Sequence, residues 1–252
     1  MPTPSRVEIR ITVVLTVLTV TSGVIDALSF LGLGHAFAAL ATGNLLLLAF
    51  GIAGAQGLPV ARPAVALAGF LLGAAGAQVL VGHRLARGRR WFMAALLLES
   101  ATICAAGLYT IATAGAAVPQ GWHATVVFVL LTAAMGWRSR VVFEARIPDM
   151  PTTLAQTTLV KMITDIAFLH GAAAAPGLTK AQRLATVLGM FVGGVVGAAA
   201  LPYGLGAVLL AVAGCIALVA LAYSRHPHLR SPAAAPRSVG GNPPGRPDDR
   251  SA

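Results

Sequence analysis

Apolar residues along this chain come in long runs, not in alternation. Eight runs stand out, at 11–33, 38–56, 63–82, 91–115, 122–143, 152–170, 183–201 and 203–223, separated by short polar stretches. Most approach the roughly 20 residues that an α-helix needs to cross a hydrocarbon core. None shows the period-2 alternation of a barrel strand. Lipid offers backbone amides no partner, so a spanning segment must be a helix or part of a closed barrel. The pattern therefore predicts an all-α polytopic bundle in a lipid bilayer. Two runs begin polar and turn apolar: Thr42-Gly43-Asn44 precedes Leu45 to Leu48, and Thr152, Thr153, Gln156, Thr157 and Thr158 precede Leu159. Non-helical backbone at membrane depth is tolerated only against protein or a water-filled cavity. These two runs are expected to be re-entrant or broken, leaving about six spanning helices.

Composition agrees. Of 252 residues, 57% are hydrophobic and 10% charged, where a soluble domain carries about a quarter charged residues. The net charge of +10 would point to nucleic acid in a soluble protein, but the basic residues cluster in short loops and at the C-terminus, the pattern of cytoplasmic loops. If all eight runs cross, seven arginines lie outside: Arg84, Arg87, Arg89, Arg90, Arg138, Arg140 and Arg146. If 38–56 and 152–170 turn back, those seven move in, and sixteen Lys and Arg lie inside against Arg62 outside. Positive charge stays in the cytoplasm, so the second arrangement is preferred, with both termini inside a bacterial inner membrane. It divides the chain into a cytoplasmic N-terminus at 1–10, a membrane domain at 11–223, and a disordered basic Pro/Gly-rich tail at 224–252 that has too few apolar side chains to fold. Ala36-Phe37-Ala38 resembles a signal-peptide cleavage site, but the first run is longer than an h-region and reads better as an uncleaved helix.

The two halves of the membrane domain, 11–115 and 122–223, echo one another. Gln156-Thr157-Thr158-Leu159 follows Thr42-Gly43-Asn44-Leu45 by 114 residues, and Gly189-x3-Gly193-x3-Gly197 follows Gly69-x3-Gly73-x3-Ala77 by 120. Three crossings per half would invert the second half relative to the first, aiming the two interrupted segments at one another, as in many secondary transporters. Small residues at this spacing permit close helix approach. Gly69, Gly73, Gly189, Gly193 and Gly197 are thus candidates for contact with a second copy or an accessory partner.

Four ionisable residues stand inside apolar runs: Asp26, Glu99, Lys161 and Asp165. Each is expensive in lipid and should face a partner or a cavity. Lys161 and Asp165 are spaced to pair on one helical face. Asp26 lies sixteen residues beyond Arg10, about 24 Å along the helix and towards the outer leaflet, where it would bind a cation or proton near Thr42, or cap neighbouring backbone. Glu99 lies deeper and suits a proton-linked role or a buried hydrogen bond. Arg138, Arg140, Glu144, Arg146 and Asp149 read as a solvated cytoplasmic loop. His35, His123 and His170 fall near helix ends without metal-ligand spacing. Cys104 and Cys215 sit in apolar runs as small hydrophobes. No metal or cofactor is expected, and the motifs of P-loop ATPases, zinc proteases and nucleophile-elbow hydrolases do not occur, so the chain is not expected to be an enzyme.

The residues Gly23-x2-Asp26-Ala27-x2-Phe30, Phe37-x4-Thr42-Gly43-Asn44-Leu45, Met135-Gly136, and Arg146-x2-Asp149-x2-Thr152-Thr153-x4-Thr158-Leu159 with Asp165 resemble the YoaK-type family of bacterial membrane proteins, the domain of unknown function 1275. The resemblance covers residues 11 to 223. It implies a multi-pass inner-membrane protein of about six helices without an established substrate. The chain departs from the family pattern at Gln156-Thr157-Thr158, where a second Thr-x-Thr is common, and at Arg138-Ser139, where a Gln-Asn pair is. What it keeps is the first half-site of Asp26, Thr42, Gly43 and Asn44.

Taken together, the expectation is a small-solute or ion transporter or channel-like protein. Its candidate substrate-binding residues are Asp26, Thr42, Gly43, Asn44, Glu99, Gln156, Thr157, Thr158, Lys161 and Asp165. The alternatives are a non-transporting scaffold or accessory subunit and, if Asp26 and Glu99 meet as acid and base, an intramembrane enzyme.

Overall fold

A computed structural model describes residues 6–86, 91–144 and 177–223. These form seven α-helices: α1 (Arg6–Gly32), α2 (Ala41–Ile52), α3 (Ala61–Ala86), α4 (Trp91–Ala114), α5 (Gly121–Glu144), α6 (Gly177–Ala200) and α7 (Leu205–Tyr223), with one 3-10 turn, Leu201–Tyr203, between the last two. No strand occurs among the described residues. All but α2 are long and apolar enough to cross a membrane. The twelve residues of α2 reach about 18 Å, little more than half of a hydrocarbon core. The run at 38–56 thus forms a half-length helix, as its polar start suggested. The run at 152–170, with Gln156, Thr157, Thr158, Lys161 and Asp165, lies outside the described residues, as does the tail at 224–252.

Helix contacts fix the directions. α1 packs along α6 with Gly189 against Thr19, Gly193 against Val20 and Gly197 against Val24, so the two run parallel. α3 packs along α5 in the same sense, with Gly69 on Thr132, Gly73 on Ala133 and Gly76 near Trp137. α4 and α7 are antiparallel: the Ser100 hydroxyl donates to the Ala213 carbonyl at 2.7 Å, and Gly107 lies on Gly206. α4 and α5 are antiparallel too, joined by the Trp137 indole N–H on the Ala95 carbonyl at 3.0 Å and the Tyr109 hydroxyl against His123 Nδ1 at 2.9 Å. It follows that α1, α4 and α6 point one way and α3, α5 and α7 the other. α1 ends and α3 begins on the same face. On the opposite face α5 ends, α6 begins and α7 ends, beside the start of α1.

The repeat is real at the level of packing. A Cβ on Gly136 would strike the Phe70 carbonyl, and one on Gly23 the Met190 carbonyl. Gly73 meets the Ala133 carbonyl, and Gly193 the Val20 carbonyl. Each contact maps onto the other by adding 113 residues to a position on α1 and 120 to a position on α3. The pairs α1·α6 and α5·α3 are therefore equivalent by exchange of halves, while α4 and α7 pair with each other. This is an inverted repeat in which each half lends its second spanning helix, α3 or α6, to the other. Such tight backbone approach is the form that van der Waals association takes in lipid, where no hydrophobic drive exists between helices.

Two expectations need correction. Gly69, Gly73, Gly193 and Gly197, and more loosely Gly189, are occupied by α5 and α1 of the same chain, so these faces are not free for a second copy. And the start of the charged run, Arg138, Arg140 and Glu144, is helical rather than a loop, while Arg146 and Asp149 lie outside the described residues. α5 continues through Glu144, and Arg138 is buried at 1% exposure.

Candidate functional site

The polar interior is built on α1. Its Thr and Ser hydroxyls donate back to carbonyls of the preceding turn: Thr19 to Leu15, Thr21 and Ser22 to Leu18, Ser29 to Asp26, at 2.8 to 3.1 Å. This is how short polar side chains are satisfied within a membrane helix. It also turns a row of oxygens, from Leu18 to Ser29, towards the bundle centre.

Arg138 enters that row from α5. Its Nη1 donates to the Leu18 carbonyl at 2.7 Å, the Ser22 hydroxyl at 2.8 Å and the Thr21 hydroxyl at 3.0 Å. Its Nε donates to Glu99 Oε1 of α4 at 2.6 Å, and Nη2 forms an ion pair with the same oxygen. Glu99 is 1% exposed, and its Oε2 has no hydrogen-bond partner among the described residues. Glu99 lies eight residues into α4, about 12 Å along it, and is followed by the Ser100 that joins α4 to α7. A buried ion pair rarely stabilises a fold more than an apolar pair of the same volume. An ionisable residue within a membrane helix is by default a functional candidate with a named partner. One positive group here meets helices from three different packing pairs.

Asp26 and Asn44 do something else. Just past the end of α1, Gly34 takes a φ of 115° and the His35 N–H returns to the Phe30 carbonyl at 3.0 Å. The chain then crosses to α2 through a segment in which side chains hold three successive amides. Phe37 N–H reaches Asn44 Oδ1 at 2.9 Å, Ala38 N–H the Ser29 hydroxyl at 3.1 Å, and Ala39 N–H Asp26 Oδ1 at 2.6 Å, with the Leu40 amide close by. Asn44 also donates to the Phe37 carbonyl at 2.6 Å. Leu40 offers α2 no side-chain cap; the carboxylate of Asp26 instead holds the amides just before the helix begins. Phe30 stacks on Phe37 with ring centroids 4.7 Å apart. Gly43 sits where a Cβ would come within 2.9 Å of Leu40 Cδ2.

Of the sequence-predicted residues, Asp26, Gly43 and Asn44 are therefore brought together as a clasp around the entry to α2. Thr42 lies on the exposed side of α2. Glu99 belongs to a second group, with Arg138, Thr21 and Ser22. Arg140 and Glu144 pair at 2.7 Å near the end of α5, and Arg140 reaches Gln78 of α3. Cys104 and Cys215 are free thiols, and no group of residues fit to hold a metal ion occurs among the described residues.

A family model described as a protein of unknown function, DUF1275, matches residues 14–222, which include both groups. The chain belongs to the DUF1275 family. A relative of this DUF1275 chain is the UPF0700 transmembrane protein YoaK of Bacillus subtilis (strain 168), 29% identical over 155 residues. The match spans 60% of this chain and 65% of that protein, short of two thirds of its length. No solved structure matches. The region matched to DUF1275 holds both the clasp of Asp26, Gly43 and Asn44 and the group around Arg138. The chain is a multi-pass membrane protein of a family without an assigned function.

Proposed function

We propose that this protein is a small-solute or ion transporter of a bacterial inner membrane, with both termini cytoplasmic, working by movement of its two parallel helix pairs, α1·α6 and α3·α5, about Arg138. The observation that carries the reading is the position of that arginine. α1·α6 and α3·α5 are two parallel pairs that touch each other directly along only a short stretch. There Arg138 of one pair is hydrogen-bonded to the backbone and hydroxyls of the other, and ion-paired to α4 of the third pair. In inverted-repeat transporters the substrate site lies where the repeats meet and the repeats rock about it. A polar tie that can be made and broken at that place is what such a movement needs. Charge supports the orientation: among the described Lys and Arg, Arg62 alone lies towards the face where α1 ends. Asp26 and Glu99 are each held by a different partner, which favours a carrier over an acid–base enzyme.

The test is flux in liposomes containing purified protein, screened with small inorganic ions and organic solutes. At least one solute should move, and Arg138→Gln should stop it while the protein stays monodisperse. If no solute moves and a second polypeptide co-purifies in fixed ratio, the transporter reading is wrong and the accessory-subunit reading replaces it.

A further inference from the structure

We infer that Arg138 is the binding site for a small monovalent carboxylate, and that Glu99 is a tethered stand-in for it which leaves the arginine by taking up a proton. The inference deepens the transport reading and rests on it only for movement across the membrane; binding is measured without a membrane.

The argument begins with the guanidinium. Its Nη1 is committed to α1, with three oxygens around it, so that side of the group is fixed. The remaining edge, Nε and Nη2, is the side that planar carboxylates recognise with two parallel hydrogen bonds. Here Nε donates to Glu99 Oε1 and Nη2 only lies in ion-pair contact with that same oxygen, so that among the described residues both Nη2 and Oε2 are buried without a hydrogen-bond partner. The fork is thus filled by an ill-fitting internal anion. A free carboxylate, not constrained by the α4 backbone, can present both oxygens to that edge.

Displacing Glu99 alone would leave a bare carboxylate in a dry interior, which is prohibitive. Displacing it with a proton does not. One carboxylate and one proton enter together: the incoming anion balances the Arg138 charge, Glu99 becomes a neutral acid, and the site keeps the same net charge. Among the described residues, Glu99 is the carboxylate ion-paired with Arg138. Besides Arg138 from α5, α1 brings the hydroxyls of Thr21 and Ser22 and, farther along, Asp26, already held on the amides that lead into α2. α7 brings the Ala213 carbonyl and carries no Asp, Glu, Lys, Arg or His from Leu205 to Tyr223. Within α4, Glu99 is the only such residue.

Formate is the probe, because it is the smallest carboxylate and stays ionised between pH 7.5 and 5.5. Radiolabelled formate is bound to the purified full chain in detergent, at constant ionic strength. The wild-type dissociation constant should fall about tenfold for each pH unit lowered, since one proton is taken up per anion. Glu99→Gln should bind formate with no dependence on pH, and Arg138→Gln should not bind it. Wild-type binding that is absent, or equally tight across the range, overturns the proposal without recourse to any variant. So does binding that survives Arg138→Gln. If formate binds as expected but crosses no liposome membrane, the site stands and the transport reading falls. If another solute is carried and formate does not bind, transport stands and this site falls.

Discussion

Arg138 brings five N–H donors into the buried interior of the bundle, and the donors on its Nε and Nη1 find oxygens of Glu99 and α1 within hydrogen-bond reach. Removing one member of such a pair strands the other. Arg138→Met or Glu99→Leu alone should therefore cost about 3–5 kcal/mol, whereas the two together should restore most of the loss. Denaturant titration in micelles reads both. Asn44→Ala strips the partners from both polar groups of Phe37 and should cost about 1–3 kcal/mol, with faster hydrogen exchange confined to residues 37–44. The sequence marked Asp26, Glu99 and Asn44 because polar residues in apolar runs demand a partner. It hid Arg138 because counting arginines by loop assigns each to water. The available signal was depth: Glu99 lies eight residues after the start of α4 and Arg138 six before the end of α5, which antiparallel neighbours bring level.

At the scale of elements, the spanning helices were legible from run length alone, since the bilayer fixes that length. α2 was legible as an exception from its polar start. What the sequence could not supply was the pairing. Gly-x3-Gly spacing says that a helix face admits a neighbour, not which neighbour, and the neighbours proved to be α1 and α5 of the same chain. Their equivalence makes a paired prediction. Gly73→Ile and Gly193→Ile drive side chains into the matching carbonyls of Ala133 and Val20, so both should lower thermal stability by similar amounts. Gly194→Ile, where nothing lies within 4 Å, should be tolerated. The folded fraction at graded temperatures, read by size-exclusion chromatography, compares the three.

For the whole molecule, topology follows from direction. Three described spanning helices run each way, and α1 begins on the face where α7 ends. On a background lacking Cys104 and Cys215, a single cysteine at Ala117, exposed in the α4–α5 turn, should react with an impermeant thiol reagent on intact cells. One at Ala86, the last residue of α3, should not. Reaction at Ala86 from outside would remove the proposed orientation.

The exchange of α3 and α6 between halves also bears on how the chain is made. While the ribosome is still working on the second half, α1 waits in the bilayer without α6, and α3 without α5. The seam at Gly73 stays open to lipid until Ala133 has been inserted, and that at Gly23 until Met190 has been. Neither half is a self-sufficient folding unit, so residues 1–118 expressed alone should be degraded. The same fragment expressed with residues 119–252 should accumulate and co-purify with it, two pieces completing each other through seams that the intact chain closes last.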